Sequence, residues 1–288
     1  MGLLDTIAGA SAAYSLRKIR DAYIGNCLKV RRSSDNTTLD IGFVDGWLDE
    51  SSLLTFCGAG SGYVDTWYDQ STNAKNLTQA TTGLQPRIVN AGVVETVTGT
   101  DGTTIRPAIR SGFSGASAMT ATLSLSLTQS TFATVTKRVG ALAGGTYGVL
   151  GILSTNYTSA GNYLMFVSEF EGGVSLFPQT LATAPTIRTL DLVSYHACFN
   201  STVTLVRANG FAFTNATRSA LTVDGTTLSL FAWNGNASNQ LTSEFILWPT
   251  DLDAESDVTV IDHSDAFGIV VPRPPTGGVA AVHPLGGA

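Results

Sequence analysis

Charge is scarce in this sequence. Charged residues make up 13% of the chain, and only four lysines stand among its 16 basic residues; a typical domain has roughly a quarter of its residues charged. Helical surfaces are ordinarily built from Glu, Lys and Arg. Their shortage, beside 30 glycines and abundant Thr and Ser, argues for strands and tight turns. Basic charge is short in particular: the formal net charge of −6 excludes a nucleic-acid binder that works through a large positive field. Cysteine is short too. Cys27, Cys57 and Cys198 cannot make a disulfide framework, and no CxxC or HxxxH pair offers a zinc site, so neither metal nor cofactor is expected. No apolar run approaches the roughly 18 residues of a membrane span. Met1 to Ala13 lacks the basic region that opens a secretory signal, so synthesis and folding in a cytosol are expected. What the chain does have is 43% hydrophobic residues over 288 positions, enough for a sizeable core and too many for a disordered chain.

Ala12, Leu16, Ile19 and Tyr23 recur at i, i+4, i+7 and i+11, which predicts a short helix over 12–23 with Arg17, Lys18, Arg20 and Asp21 on its outer side. Strand patterns dominate afterwards: Cys27–Arg32, Tyr63–Tyr68, Thr122–Leu127, Ser130–Lys137, Tyr163–Ser168, Leu192–Phe199, Thr202–Arg207, Leu228–Trp233 and Ser243–Trp248. Asn209-Gly210, Asp224-Gly225 and Asn234-Gly235 read as hairpin turns, because these dipeptides tolerate positive φ. Asp253–Asp265 reads as a short acidic helix. Many strands joined by hairpins make an all-β sandwich of two antiparallel sheets, a jelly roll. Residues 1–11 read as an N-terminal arm, 12–271 as one domain, and the Pro/Gly-rich 272–288 as a C-terminal arm.

A resemblance enters between Ala12 and Thr81, where Ala13-Tyr-Ser-Leu-Arg17, Leu28-Lys-Val-Arg-Arg-Ser-Ser-Asp-Asn36, Leu54-Thr-Phe-Cys57, Thr66-Trp-Tyr-Asp-Gln-Ser71 and Asn76-Leu-Thr-Gln79 follow in order. This order resembles the opening of the α-L-arabinofuranosidase B catalytic domain, a concanavalin A-like jelly roll that removes arabinose side chains. It is also similar to phage virion proteins and bacterial surface proteins that share this opening. Leu228–Val270 resembles the closing strands of laminin G-like domains. The resemblance implies a disulfide between the cysteine at Cys57 and another five residues on, where this chain has Gly62. It also implies a nucleophilic glutamate in the middle of the chain, for which no matching Glu-bearing motif is found. Near Trp233-Asn-Gly-Asn-Ala-Ser238, where an acid/base aspartate is implied, asparagines stand.

A glycosidase needs two carboxylates, about 5–5.5 Å apart for retention and roughly 6.5–9.5 Å for inversion. Glu169 and Glu171 share a face if they lie on a strand, but they read better as a solvated strand end before Gly172-Gly173. Asp69, after two aromatics and before Gln-Ser, reads as a turn cap. His196 reads as a sheet histidine, and no Ser-His-Asp grouping is legible. Trp67 and Trp248 read as core. Trp233 with Asn234 and Asn236 is the candidate glycan-binding rim. Arg17, Lys18, Arg20, Arg31 and Arg32 are the candidate docking face for an acidic partner or anionic polysaccharide.

The sequence therefore leads to a non-enzymatic expectation: a phage virion structural protein, capsid decoration or tail component, with no catalytic residues. Its expected partners are other virion proteins and copies of itself through the two arms, with weak affinity for host-surface polysaccharide and no nucleic acid or membrane. The alternatives are an arabinofuranosidase-like hydrolase, which needs Glu169, Glu171 or Glu244, and a free carbohydrate-binding module.

Overall fold

The computed structural model describes residues 1–112, 118–139, 148–154, 163–168, 174–177, 192–199, 204–209, 211–214, 223–233, 236–237 and 239–270. Every strand pairing among them is antiparallel, and the strands form two packed layers. The first layer is built around Gln240–Trp248. This strand pairs with Ala12–Ser15 and Ile109–Arg110 on one side and Ser130–Arg138 on the other. Ser130–Arg138 continues to Leu192–Phe199, then Thr204–Ala208 and Phe211–Thr214. In the second layer Met119–Leu127 pairs with Val223–Leu230, and Gly148–Ser154, Tyr163–Ser168 and Val174–Phe177 follow. Leu28–Arg32, Gly62–Trp67 and Arg87–Asn90 join it through the bridge from Thr78 to Thr120.

The core lies between the layers. Phe132, Phe245, Leu247 and Tyr195 from the first face Leu123, Leu127, Leu228 and Trp67 from the second. Thr122 and Ser124 alternate with Ala121 and Leu123 and point to solvent, the pattern of a sheet wetted on one face. The first layer is different: all nine residues of Gln240–Trp248 are buried. Its outer face is covered at one end by Leu3, Leu4, Ile7 and Ile19, which pack on Ala133, Ile246 and Trp248, and at the other by Phe267 and Ile269 against Val135 and Leu241. The all-β jelly-roll expectation is met, and Trp67 and Trp248 are fully buried, as read.

Three local expectations are corrected. No helix runs from 12 to 23; Ala12–Ser15 is a strand, and the short N-terminal helix is α1, Leu3–Thr6. The spacing misled because residues on both sides of the strand are buried, so apolar positions carried no face information. The first eleven residues are not a free arm, since Leu3, Leu4 and Ile7 are buried in the chain's own core. Asp224-Gly225 is not a turn but part of Val223–Leu230, paired with Ser126 and Leu125 beside a bulge. Asn209 does take a positive φ of 48° after Thr204–Ala208. Asn234-Gly235 and 272–288 lie outside the described residues. Two further helices are α2, Glu50–Cys57, and α3, Ser256–Phe267. The Asp49 carboxylate caps α2 by accepting the Ser52 N–H, and α3 ends at Gly268 in the left-handed region (φ 62°).

Candidate functional site

The chemically densest part of the molecule is where α3 lies on the Glu244 strand. A carboxylate in a fully buried strand must be paired, because its desolvation is otherwise prohibitive. Glu244 is 0% exposed and is paired completely. Its Oε2 accepts from Ser15 Oγ (2.7 Å) and Arg17 Nε (2.9 Å), and its Oε1 from Arg17 Nη2 (3.1 Å) and His263 Nε2 (2.8 Å). The pairing of Ser15 with Glu244 sets this up: Arg17, two residues past Ser15, returns over the same carboxylate. His263 is buried on α3, and its Nδ1 lies 2.6 Å from Ser194 Oγ. Arg17 also donates from Nη1 and Nη2 to the two oxygens of Asp262, the residue before His263, and lies 5.5 Å from the Phe267 ring centroid.

Burial pushes the Glu244 carboxyl up, but the Arg17 charge and the bonds from His263 and Arg17 outweigh it and hold the group at about 2. Burial likewise pushes the Arg17 guanidinium down, and Glu244 with Asp262 more than offset it, so the group stays charged. Serine, histidine and glutamate stand here in the order of a nucleophilic triad. Ser194 and His263 are sealed, however, at 2% and 0% exposure, so no substrate carbonyl reaches the hydroxyl. Glu244, Asp262 and His263 also place three ligand atoms within 4.8 Å of one another. The guanidinium of Arg17 already pairs with both carboxylates there.

The network comes to the surface at an open cleft of about 380 Å³. Arg17 and Asp262 lie at its base, with Asp265 beside them on α3. Facing them is a tight hairpin in which Asp45 and Gly46, both at positive φ (50° and 78°), join Phe43–Val44 to Trp47–Leu48. Lys18 is tied to that turn through its backbone N–H to Gly46 O. The Trp47 ring is covered by the Arg106 guanidinium at 4.4 Å and meets Phe267 edge-on at 5.5 Å. Arg106 is held in turn by the Ala266 carbonyl (2.7 Å).

The residues singled out in the sequence are not gathered here as expected. The expected basic docking face is not a set of free charges, because its arginines are engaged by other groups of the chain. Arg17 and Arg31 are buried. Arg31 bonds Gln85, Asn36 and the Thr82 carbonyl, Arg20 bonds the Gln70 and Ser71 carbonyls, and Arg32 pairs with Asp35. Only Lys18 among them offers an unengaged charge, at the cleft. Trp233 and Asn236 pair through their backbones in a short hairpin, and Asn234 lies outside the described residues. Asp69 is a fastener, as read: its carboxylate accepts from the Ala13, Ser71 and Lys75 amides and from Ser71 Oγ. Gln70 extends the fastening by bonding Ile19 N–H and the Ser15 and Arg17 carbonyls. His196 is buried, with Nε2 3.2 Å from Cys198 Sγ. The Arg17–Glu244–His263 network was missed. One signal was available: Glu244 directly precedes the apolar run Phe245–Trp248 and follows Leu241-Thr-Ser243, a charge inside a strand pattern with no turn residue to carry it outward.

Comparisons with known proteins add to this geometry. The family model of the α-L-arabinofuranosidase B catalytic domain matches residues 6–158. The fold is similar to a glutamate-to-glutamine mutant of a GH54 α-L-arabinofuranosidase soaked with 4-nitrophenyl α-L-arabinofuranoside. That match has a TM-score of 0.72 and 16% identity, over 93% of this chain and 66% of that one. It is similar as well to an arabinofuranosidase complexed with arabinofuranosyl-α-1,2-xylobiose (TM-score 0.68, 18% identity, 93% of this chain, 65% of that one). A GH54 enzyme soaked with a cyclic sulfate inhibitor gives TM-score 0.71 and 17% identity, over 96% of this chain and 68% of that one. The chain thus spans about two thirds of the length of these structures. No curated protein matches it. A match to a catalytic domain overturns the expectation of a phage virion structural protein without enzymatic activity.

Proposed function

The chain belongs to the α-L-arabinofuranosidase B catalytic family, and on that footing we propose that it is a glycoside hydrolase that removes α-L-arabinofuranosyl groups from a glycan. The observation that carries the reading is the family match over 6–158, continued as a common fold over 93% of the chain. The chemistry needs a carboxylate beside the anomeric carbon and a second one to manage the proton of the leaving oxygen or of water. Glu244 is not one of them: sealed and bonded on both oxygens, it has no access to a substrate. Glu169 and Glu171 are the better candidates for the first of these. They lie outside the described residues, in the five-residue stretch between the paired strands Tyr163–Ser168 and Val174–Phe177.

Asn234 and Asn236 stand where the family resemblance implies an acid, and an amide does not donate a proton as a carboxylic acid does. A leaving group as stable as 4-nitrophenolate needs little protonation, so the aryl arabinofuranoside is the sensitive substrate. We expect the native chain to release 4-nitrophenolate from 4-nitrophenyl α-L-arabinofuranoside and to act more slowly on arabinofuranosyl-α-1,2-xylobiose. Glu169→Gln or Glu171→Gln should lower kcat by about a hundredfold or more. No turnover of the aryl substrate by the folded native chain would overturn the reading.

A further inference from the structure

We propose that the cleft beside α3 is a sugar-binding subsite in which Asp262 accepts hydrogen bonds from neighbouring hydroxyls, with Glu244 and His263 as positioning residues acting through Arg17. The choice of a sugar as ligand rests on the hydrolase reading above; the geometry of the subsite does not.

Charge balance comes first. Arg17, Lys18 and Arg106 line the cleft together with Asp45, Asp262 and Asp265, three cations against three anions. A site for phosphate or for a metal ion carries a surplus of one sign, whereas a balanced set of donors and acceptors suits a neutral ligand rich in hydroxyl groups. The side chains of Lys18, Asp45 and Asp265 make no hydrogen bond or ion pair with other described residues, so their donors and acceptors are ready for a ligand at the opening. The volume of about 380 Å³ falls within the range of roughly 300–1,000 Å³ typical of small-molecule sites.

Asp262 is the fixed point. Each of its oxygens takes one N–H of Arg17, which leaves a further lone pair on each for a hydroxyl donor, and the two-point grip sets the carboxylate plane. Its side chain keeps 23% of its surface exposed. Arg17 is itself immobile: Glu244 holds Nε and Nη2, His263 and Ser15 hold Glu244, and Ser194 holds His263. An acceptor held this way meets a ligand without first losing rotamer freedom, which is how a supporting shell raises affinity. Asp262 and His263 are consecutive on α3, so one helix aims its carboxylate at the cleft while its imidazole locks the support beneath.

Calorimetric titration with arabinofuranosyl-α-1,2-xylobiose tests this, with Asp262→Asn, Glu244→Gln and the milder Ser194→Ala compared with the native chain. Melting curves establish which variants are folded at the working temperature. Loss of a charged acceptor should weaken Kd about tenfold or more in Asp262→Asn. Most of the loss in kcat/KM should then fall on KM. Glu244→Gln and Ser194→Ala, where folded, should weaken Kd by smaller factors without touching the ligand. Native Kd in a folded Asp262→Asn overturns the subsite, as does absence of binding by the native chain. Native Kd in both supporting variants overturns the positioning role. Binding without hydrolysis leaves the subsite standing and removes the hydrolase; hydrolysis with an unchanged Kd in Asp262→Asn does the reverse.

Discussion

Glu244 occupies a position that a central strand would ordinarily give to valine or isoleucine. Its folded-state pKa is depressed from the ordinary 4.5 to about 2, so the stability it contributes is complete above pH 4.5 and lost as pH falls toward 2. The native protein should therefore lose melting temperature steeply between pH 5 and pH 2, and Glu244→Gln should show a shallower slope over that window when both are followed by circular dichroism. At neutral pH the same substitution removes one partner of a buried pair and should cost about 3–5 kcal/mol in urea unfolding. Equal slopes for the two proteins would mean that other carboxylates carry the acid sensitivity. The apolar spacing of Ala12, Leu16, Ile19 and Tyr23 put Arg17 on the outer side of a helix, in a cluster with the basic residues Lys18 and Arg20. Charge pattern alone does not distinguish a guanidinium that faces water from one that faces a carboxylate 227 residues away.

Among elements, those whose ends are marked by breakers were legible. Tyr163–Ser168 and Leu192–Phe199 were read to the residue, because strong β formers stop there against polar or glycine-containing stretches. The first strand was not legible, since its identity depends on the turn at Asp69–Ser71, which supplies partners to its free edge. Asp69→Asn would replace an acceptor oxygen with a donor facing N–H groups. It should cost about 1–3 kcal/mol for each amide left unpaired and speed hydrogen exchange at Ala13 and Lys75 before the rest of the sheet. The absent disulfide has a structural counterpart at α2: a Cβ on Gly62 would sit 2.7 Å from Cys57 Sγ, with Val30 and Val89 close by. Gly62→Cys should consequently oxidise to a bridge closing a short loop, detected as loss of two titratable thiols. Its stabilisation should be about 2 kcal/mol, less whatever strain Val30 and Val89 impose. A variant that keeps all its thiols under mild oxidant would show that the two positions are no longer aligned for a bond.

For the molecule as a whole, composition and turn signals were enough to reach the jelly roll, whereas the functional reading went astray at the missing carboxylate motifs. The candidate stretches Glu169–Glu171 and Trp233–Ser238 lie after residue 158, beyond the part that matches the family, so the lack of a motif there was weak ground for rejecting catalysis. The first segment shows how far the fold reaches across the chain. Deleting residues 1–8 should uncover Trp248, Ile246 and Ile19 and lower stability by several kcal/mol, at about 25 cal/mol per Å² of apolar surface exposed. A chain that melts unchanged after this deletion would show that Leu3, Leu4 and Ile7 contribute nothing. The pairing of Ala12–Ser15 with Glu244–Leu247 also bears on how the protein is made. A ribosome adding about 5–20 residues per second needs on the order of 10–50 s to travel from one strand to the other. Throughout that interval the edge of the opening strand that Glu244–Leu247 will pair, and the face that Trp248 will cover, stay open. The nascent chain is thus obliged to wait for Gln240–Trp248 before Ala12–Ser15 can settle in its sheet, and whatever shields apolar surface during synthesis has to remain bound until then.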